Sequence, residues 1–182
     1  MIAFTPTAAF PPTDVALNFA CANANPAPRV AGLNTILLSA STTPVPDVVA
    51  LAASPVPGYV EIPGNTGTGV FVVATVNLGA SASITATGDT GTANVPVSIL
   101  VCQTNSTTGA CLSPPTTNVV ATIANNATPT FGFFVTGSGN VADQPAVNRV
   151  FARFTDAGGA VRGATSVAVR TKAPGPQSAS AE

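Results

Sequence analysis

The chain of 182 residues contains no histidine and no tryptophan, one tyrosine (Tyr59) and one lysine (Lys172), and only 7% of its residues carry charge. Each scarcity removes a class of chemistry. Without histidine, and with the lysine beside the C-terminal tail, the Ser-His-Asp, Cys-His and lysine Schiff-base arrangements cannot be assembled. Zinc needs three or four nitrogen or sulfur ligands, which disfavours it in a chain with no histidine. Seven carboxylates remain: Asp14, Asp47, Glu61, Asp89, Asp143, Asp156 and Glu182. Most fall in or beside turns without an aromatic platform, unlike the paired acids of a glycosidase. Asp89 and Asp156 are lone carboxylates in hairpin turns and lack the spacing of a calcium loop. The glycine clusters GNTGTG and GSGN lack the helix that follows a phosphate-binding loop. The expectation is a protein that is not an enzyme and holds no cofactor or metal.

The shortage of charge also restricts partners. The formal net charge is −1, so there is no basic field to hold nucleic acid or an anionic membrane. The longest apolar runs, VVALAA (48–53) and GVFVVA (69–74), fall far short of the roughly 20 residues that cross a bilayer as a helix. The start, MIAFTPTAAFPP, has no basic n-region, and prolines interrupt it where an apolar stretch should continue. If the protein is exported, its signal is expected to lie outside this sequence.

What the chain does have is apolar material, 46% of its residues, arranged with a period of two. Ala82, Ile84 and Ala86 alternate with Ser83, Thr85 and Thr87. The same pattern runs through Val15, Leu17, Phe19 and Cys21; through Val95, Val97, Ile99 and Val101; and through Val119, Ala121 and Ile123. It continues in Phe131, Phe133 and Val135, in Val150, Ala152 and Phe154, and in Val167 and Val169. Such alternation marks half-buried strands. Turn signals separate them: PGNTGTG (63–69), GDTGT (88–92), SPP (113–115), GSGN (137–140) and DAGG (156–159). The pattern predicts an all-β fold, an antiparallel immunoglobulin-like sandwich over residues 46–172. Residues 1–45 supply too few strands for a core of their own. They are expected to be a β extension, a partial second sandwich, or a strand lent to a neighbour, with Ile2 and Phe4 on one side of an assembly strand. The Pro/Ser/Ala-rich segment 173–182 has linker composition.

Three cysteines are present. Cys102 and Cys111 bracket QTNSTTGA, a loop of turn-forming residues that can close on itself. A disulfide there would stabilise by about 2.5 to 3 kcal/mol through the unfolded chain, and it argues for an oxidising, extracellular compartment. Cys21 is expected to fill space at a strand end. The sequons at Asn105 and Asn126 are compatible with glycosylation.

Five of the six bases follow position 148. Arg149 and Arg153 flank Phe151 on the face opposite Val150, Ala152 and Phe154, a candidate contact patch for an acidic or sugar-bearing partner. Elsewhere the outward positions are Thr, Ser, Asn, Ala and Val. A face of that kind has few hydrated ions to repel another like it, so self-association is expected.

The run from about 34 to 171 resembles a repeat of large bacterial secreted or surface proteins whose function is unassigned. The resemblance rests on NTILLSAS, VPDVVALAAS, NTGTGVFVVATVNLGASASITATGDTG, VPVSILVCQTNSTTGACL, TPTFGFFVTGSG and NRVFARFTDAGGAVRGATSVAVRT. It implies an extracellular, repeat-forming β-module and brings no site with it. The expectation is a structural subunit of an extracellular bacterial assembly, a homo-oligomer or polymer joined through β-edges and neutral faces. The alternative is an adhesin-like or carbohydrate-binding module with cell-surface or glycan contacts.

Overall fold

The computed structural model describes residues 4–172 apart from 28, 31 and 33. Ile2 of the expected assembly strand and the tail 173–182 lie outside the described residues. Eleven strands and no helix make up the described chain: β1 (Phe10–Ala16), β2 (Thr35–Ala40), β3 (Val48–Ala53), β4 (Tyr59–Pro63), β5 (Thr68–Asn77), β6 (Ala82–Asp89), β7 (Val97–Thr104), β8 (Asn118–Ile123), β9 (Thr130–Gly137), β10 (Arg149–Asp156) and β11 (Val161–Lys172). β3 to β11 form a sandwich, with a four-stranded sheet ordered β3-β5-β9-β7 against a five-stranded sheet ordered β4-β11-β10-β6-β8. All pairings within these sheets are antiparallel except that of β4 with β11.

The period-two pattern places the core. In β5, Phe71 and Val73 point inward while Val70, Val72 and Ala74 point out. Phe71 stacks on Phe133 with ring centroids 4.8 Å apart, and Phe131 meets Phe154 from the other sheet at 5.3 Å. Ile62, Ile84, Ile123, Val150 and Val169 fill the space around these rings and are almost fully buried. Burying an aliphatic or aromatic side chain of this size stabilises by about 1.5–3 kcal/mol, so these few residues dominate folding. At one corner β3 presses on β11. A Cβ at Gly163 would lie only 2.0 Å from the carbonyl oxygen of Val48, so no larger residue fits there.

The described residues among 4–45 do not add to either sheet. β1 and β2 form a separate antiparallel hairpin, which lies over the outer face of the five-stranded sheet, with Gly32 beside Ser166 and Phe151. The expected strand over residues 15–21 ends instead at Ala16 and begins earlier, at Phe10. Pro11 and Pro12 have no N–H to give the ladder, and the register slips between Phe10 and Thr13. The ladder with β2 ends at Ala16, and beyond it Phe19 and Cys21 are exposed rather than inward, with Cys21 a free thiol outside the named strands.

One buried polar side chain knits three connections together. Asn77, at the end of β5, is fully buried. Its Oδ1 accepts the backbone N–H groups of Asp47 and Gly79, each at 3.0 Å, while its Nδ2 donates to the carbonyls of Ala80 (2.8 Å) and Ile123 (3.0 Å). The lead into β3, the β5–β6 turn and the end of β8 are thus tied to one amide. Asn77→Ala strands two donors and two acceptors where water is scarce, which costs about 3 kcal/mol. The thermal midpoint should fall by about 10 °C. Circular-dichroism melting checks this; a shift of a degree or two would show that the loops re-form without the amide.

Candidate functional site

Charge is absent from the four strands of one sheet. β3, β5, β7 and β9 contain no Asp, Glu, Lys or Arg. The twelve charged residues among those described (six bases and seven acids, less Glu182) lie on the five-stranded sheet, the hairpin and the loops. On the strands of the five-stranded sheet all of them except Arg149 are paired. Arg153 Nε bonds Asp89 Oδ2 at 2.5 Å and its guanidinium sits 4.8 Å from the Phe151 ring. Arg162 bonds Asp156 at 2.6 Å. Arg170 joins Glu61 (2.5 Å) and Asp143 (2.7 Å) and covers the Tyr59 ring at 4.4 Å, while Lys172 reaches Glu61 at 3.2 Å. Hydrogen bonds from Arg170 and then Lys172 hold the Glu61 carboxyl below its ordinary value. For Asp156 burial pushes upward, but the bonds from Arg162 and from the N–H groups of Ala160 and Gly158 together outweigh it and lower the carboxyl.

The expected contact patch is brought together on β10 but is not open. Arg149 is only 5% exposed and Phe151 only 8%, because the hairpin and its loops lie over that face. Arg149 donates from Nε to Ser166 Oγ (3.0 Å), from Nη1 to Pro145 O (2.9 Å) and from Nη2 to Ser166 O (3.0 Å). Two clefts open under the hairpin. One, of about 490 Å³, is walled by Pro11, Pro12 and Leu37 on one side and by Phe151, Arg153 and Ala164 on the other. The second, of about 610 Å³, is lined by Asp14, Arg29, Thr90, Thr92, Arg149 and Arg153 among others.

The opposite face is bare of ions. Register places Val49, Leu51 and Ala53 of β3 beside Val76, Ala74 and Val72 of β5, then Phe134 of β9 between Val70 and Leu100. Leu51 is 72% exposed, and Val49, Val70, Val72 and Leu100 are also exposed. Even the polar groups here serve one another. The hydroxyls of Thr68 and Thr136 bond at 2.8 Å and those of Thr104 and Thr130 at 2.6 Å.

Cys102 and Cys111 are joined, with Cα atoms 5.6 Å apart. Asn105 shapes the enclosed turn, its Oδ1 accepting the N–H groups of Thr107 (2.9 Å) and Thr108 (3.0 Å). The chain then returns along the free edge of β7, where Leu112 N bonds Gln103 O and Val101 exchanges two bonds with Thr116. The staple therefore occupies an edge that would otherwise present unpaired backbone. Phe4, the described member of the expected assembly strand, is exposed and lies outside any strand. Among the described residues, no three His, Cys, Asp or Glu side chains come together to hold a metal, and no helix is long and apolar enough to cross a membrane.

No protein-family model and no curated protein matches the chain. Its fold is similar to that of the CARDB domain of the PF1109 protein from Pyrococcus furiosus, solved with di-metal ions. The match has 13% identity and a TM-score of 0.34, over 71% of this chain and 96% of that one. It is also similar to the receptor-binding domain of the adhesin MrkD1P of Klebsiella pneumoniae, with 11% identity and a TM-score of 0.29, over 69% and 97% respectively. Both are β-rich domains, and at these TM-scores neither likeness bears on function.

The lowered carboxyls make stability depend on acid. A group whose folded pKa lies below its unfolded value contributes stability that is complete above the unfolded pKa, 4.5 for Glu61, and disappears as pH falls through the folded one. The urea midpoint should be level from neutral pH to about 5 and fall below 4.5. Glu61→Gln should make that fall shallower; identical acid limbs for the two proteins would show that the Arg170 and Lys172 pairs contribute nothing.

Proposed function

We propose that this chain is a non-catalytic structural module of an extracellular bacterial assembly such as a filament, sheath or surface layer. In it, the outer face of the four-stranded sheet packs on the same face of a second copy. One observation carries this: no charged residue lies in the four strands of a sheet that exposes Val49, Leu51, Val70, Val72 and Leu100. Covering such a face removes apolar area from water and desolvates no ion. Four strands about 4.8 Å apart and about 25 Å long give roughly 500 Å² in plan. Two copies together reach the roughly 1,000 Å² that a specific interface requires.

A face that meets its own copy closes into a dimer, so a polymer needs a second contact. The outer edge of β8, with exposed Val120, and the hairpin are available for it; the edge of β7 is not. The disulfide suits an oxidising compartment, and the resemblance to bacterial secreted repeats supports the same setting. The clefts under the hairpin favour an adhesin-like role as a second possibility, on the side away from the apolar face.

Leu51 and Val72 are exposed on the free molecule, so Leu51→Lys with Val72→Lys should leave the melting temperature almost unchanged. In a face-to-face dimer they would bury unpaired ammonium groups, each costing several kcal/mol. Sedimentation velocity should show the unaltered protein associating as concentration rises and the doubly substituted protein remaining monomeric. A parent protein that stays monomeric at millimolar concentration, or association that survives both lysines, would contradict the proposal.

A further inference from the structure

We infer that the clefts between the β1–β2 hairpin and the five-stranded sheet form a binding site for an acidic saccharide, a uronate-type sugar with one carboxylate and several hydroxyls. The starting point is Arg149. Its side chain is almost wholly buried yet pairs with no carboxylate. Its three bonds go to a serine hydroxyl and two backbone carbonyls. A buried cation without a counter-ion is costly, whereas Arg153, Arg162 and Arg170 on the same sheet are each matched by an acid. A guanidinium has five N–H donors, so two remain to Arg149 at the wall of the larger cleft. Arg29 and Arg153 line the same cleft. Against these three cations stand Asp14 in the lining and Asp89, which is bonded to Arg153. The cleft therefore has positive charge in excess, in a protein whose net charge is −1.

The remaining lining distinguishes a sugar from an acidic peptide. Asp14 accepts hydrogen bonds, and Thr90 and Thr92 both accept and donate, which matches a ligand rich in hydroxyl donors. A peptide adding to the sheet would need an open strand edge, and here the hairpin roofs the face of β10. The two cavities share Asp14, Thr35, Phe151 and Arg153, so they are adjoining parts of one space. Their volumes, about 490 and 610 Å³, fall in the range of small-ligand pockets. Desolvation lowers the Arg149 pKa, though a guanidinium remains protonated at neutral pH. A bound carboxylate would relieve the cost of burying that charge.

Isothermal titration calorimetry on the full chain with trigalacturonate tests the site, with maltotriose as the neutral match and pentaglutamate as the acidic peptide. The expected result is saturable binding of trigalacturonate that weakens with salt, and neither of the other two probes binding comparably. Arg149→Gln and Arg29→Gln should each weaken binding by about tenfold, the loss of one charge-assisted bond. Lys172→Gln, outside both clefts, should leave it unchanged. Arg29 lies in an exposed loop, so its variant tests the site even if Arg149→Gln fails to fold. No binding of trigalacturonate, equal binding of pentaglutamate, or full affinity in Arg29→Gln would overturn the inference. Dimerisation through the four-stranded sheet is read separately by sedimentation and does not depend on these outcomes.

Discussion

Each strand of a sandwich faces two ways, and in this protein the four-stranded sheet is apolar on both sides. Inward, Phe71, Phe131 and Phe133 build the core. Outward, the same strands present valine, leucine, alanine and threonine, with no charge in any of the four. The inner face is satisfied by the second sheet. The outer one is left with water, which gains little from hydroxyls already bonded in pairs and pays the hydrophobic cost of the rest.

The five-stranded sheet solves the same problem differently. Its exterior carries Arg170, Lys172 and Glu61 in one network and Arg153 with Asp89 in another, with Phe151 and Tyr59 under the guanidinium groups. Exposed pairs of this kind add little stability. Their effect is on the surface: they put hydrated ions on the five-stranded sheet, while the four strands of the other sheet carry none. The hairpin then roofs part of the charged side and turns an open arginine patch into a walled cleft. The disulfide acts at a third place. By holding residues 111–116 along β7, it blocks strand addition at that edge of the apolar sheet.

Much of this was legible in the chain because alternation is a local property. Ile84 and Ala86, Phe131 and Phe133, Val150 and Phe154, and Val167 and Val169 all point inward as their period predicts, and the Cys102–Cys111 staple follows from the turn residues between them. What was not legible depends on contacts distant in sequence. Nothing local says that β8 sits beside β6 while β7 crosses to β9. Charge segregation therefore became visible only when the strands were sorted into sheets. Arg149 looks outward by period and is outward, but the roof over it comes from residues more than a hundred positions earlier. Asn77 reads as a turn residue, and its role as a tie between three loops depends on Asp47 and Ile123 arriving from elsewhere. Cys21 misled because the alternation from Val15 continues past the point where β2 stops pairing with β1.

The central claim is that the uncharged sheet face is the surface through which copies meet, and its signature lies in how association responds to salt. Contacts between ions weaken as salt screens them, whereas burial of apolar area is indifferent to sodium chloride and strengthened by sulfate. The self-association constant, measured by sedimentation equilibrium at neutral pH over a series of sodium chloride and then sodium sulfate concentrations, is the most direct test. The account predicts a constant that is level in chloride and rises in sulfate. A steep fall with chloride would place the contact on the charged sheet and contradict it.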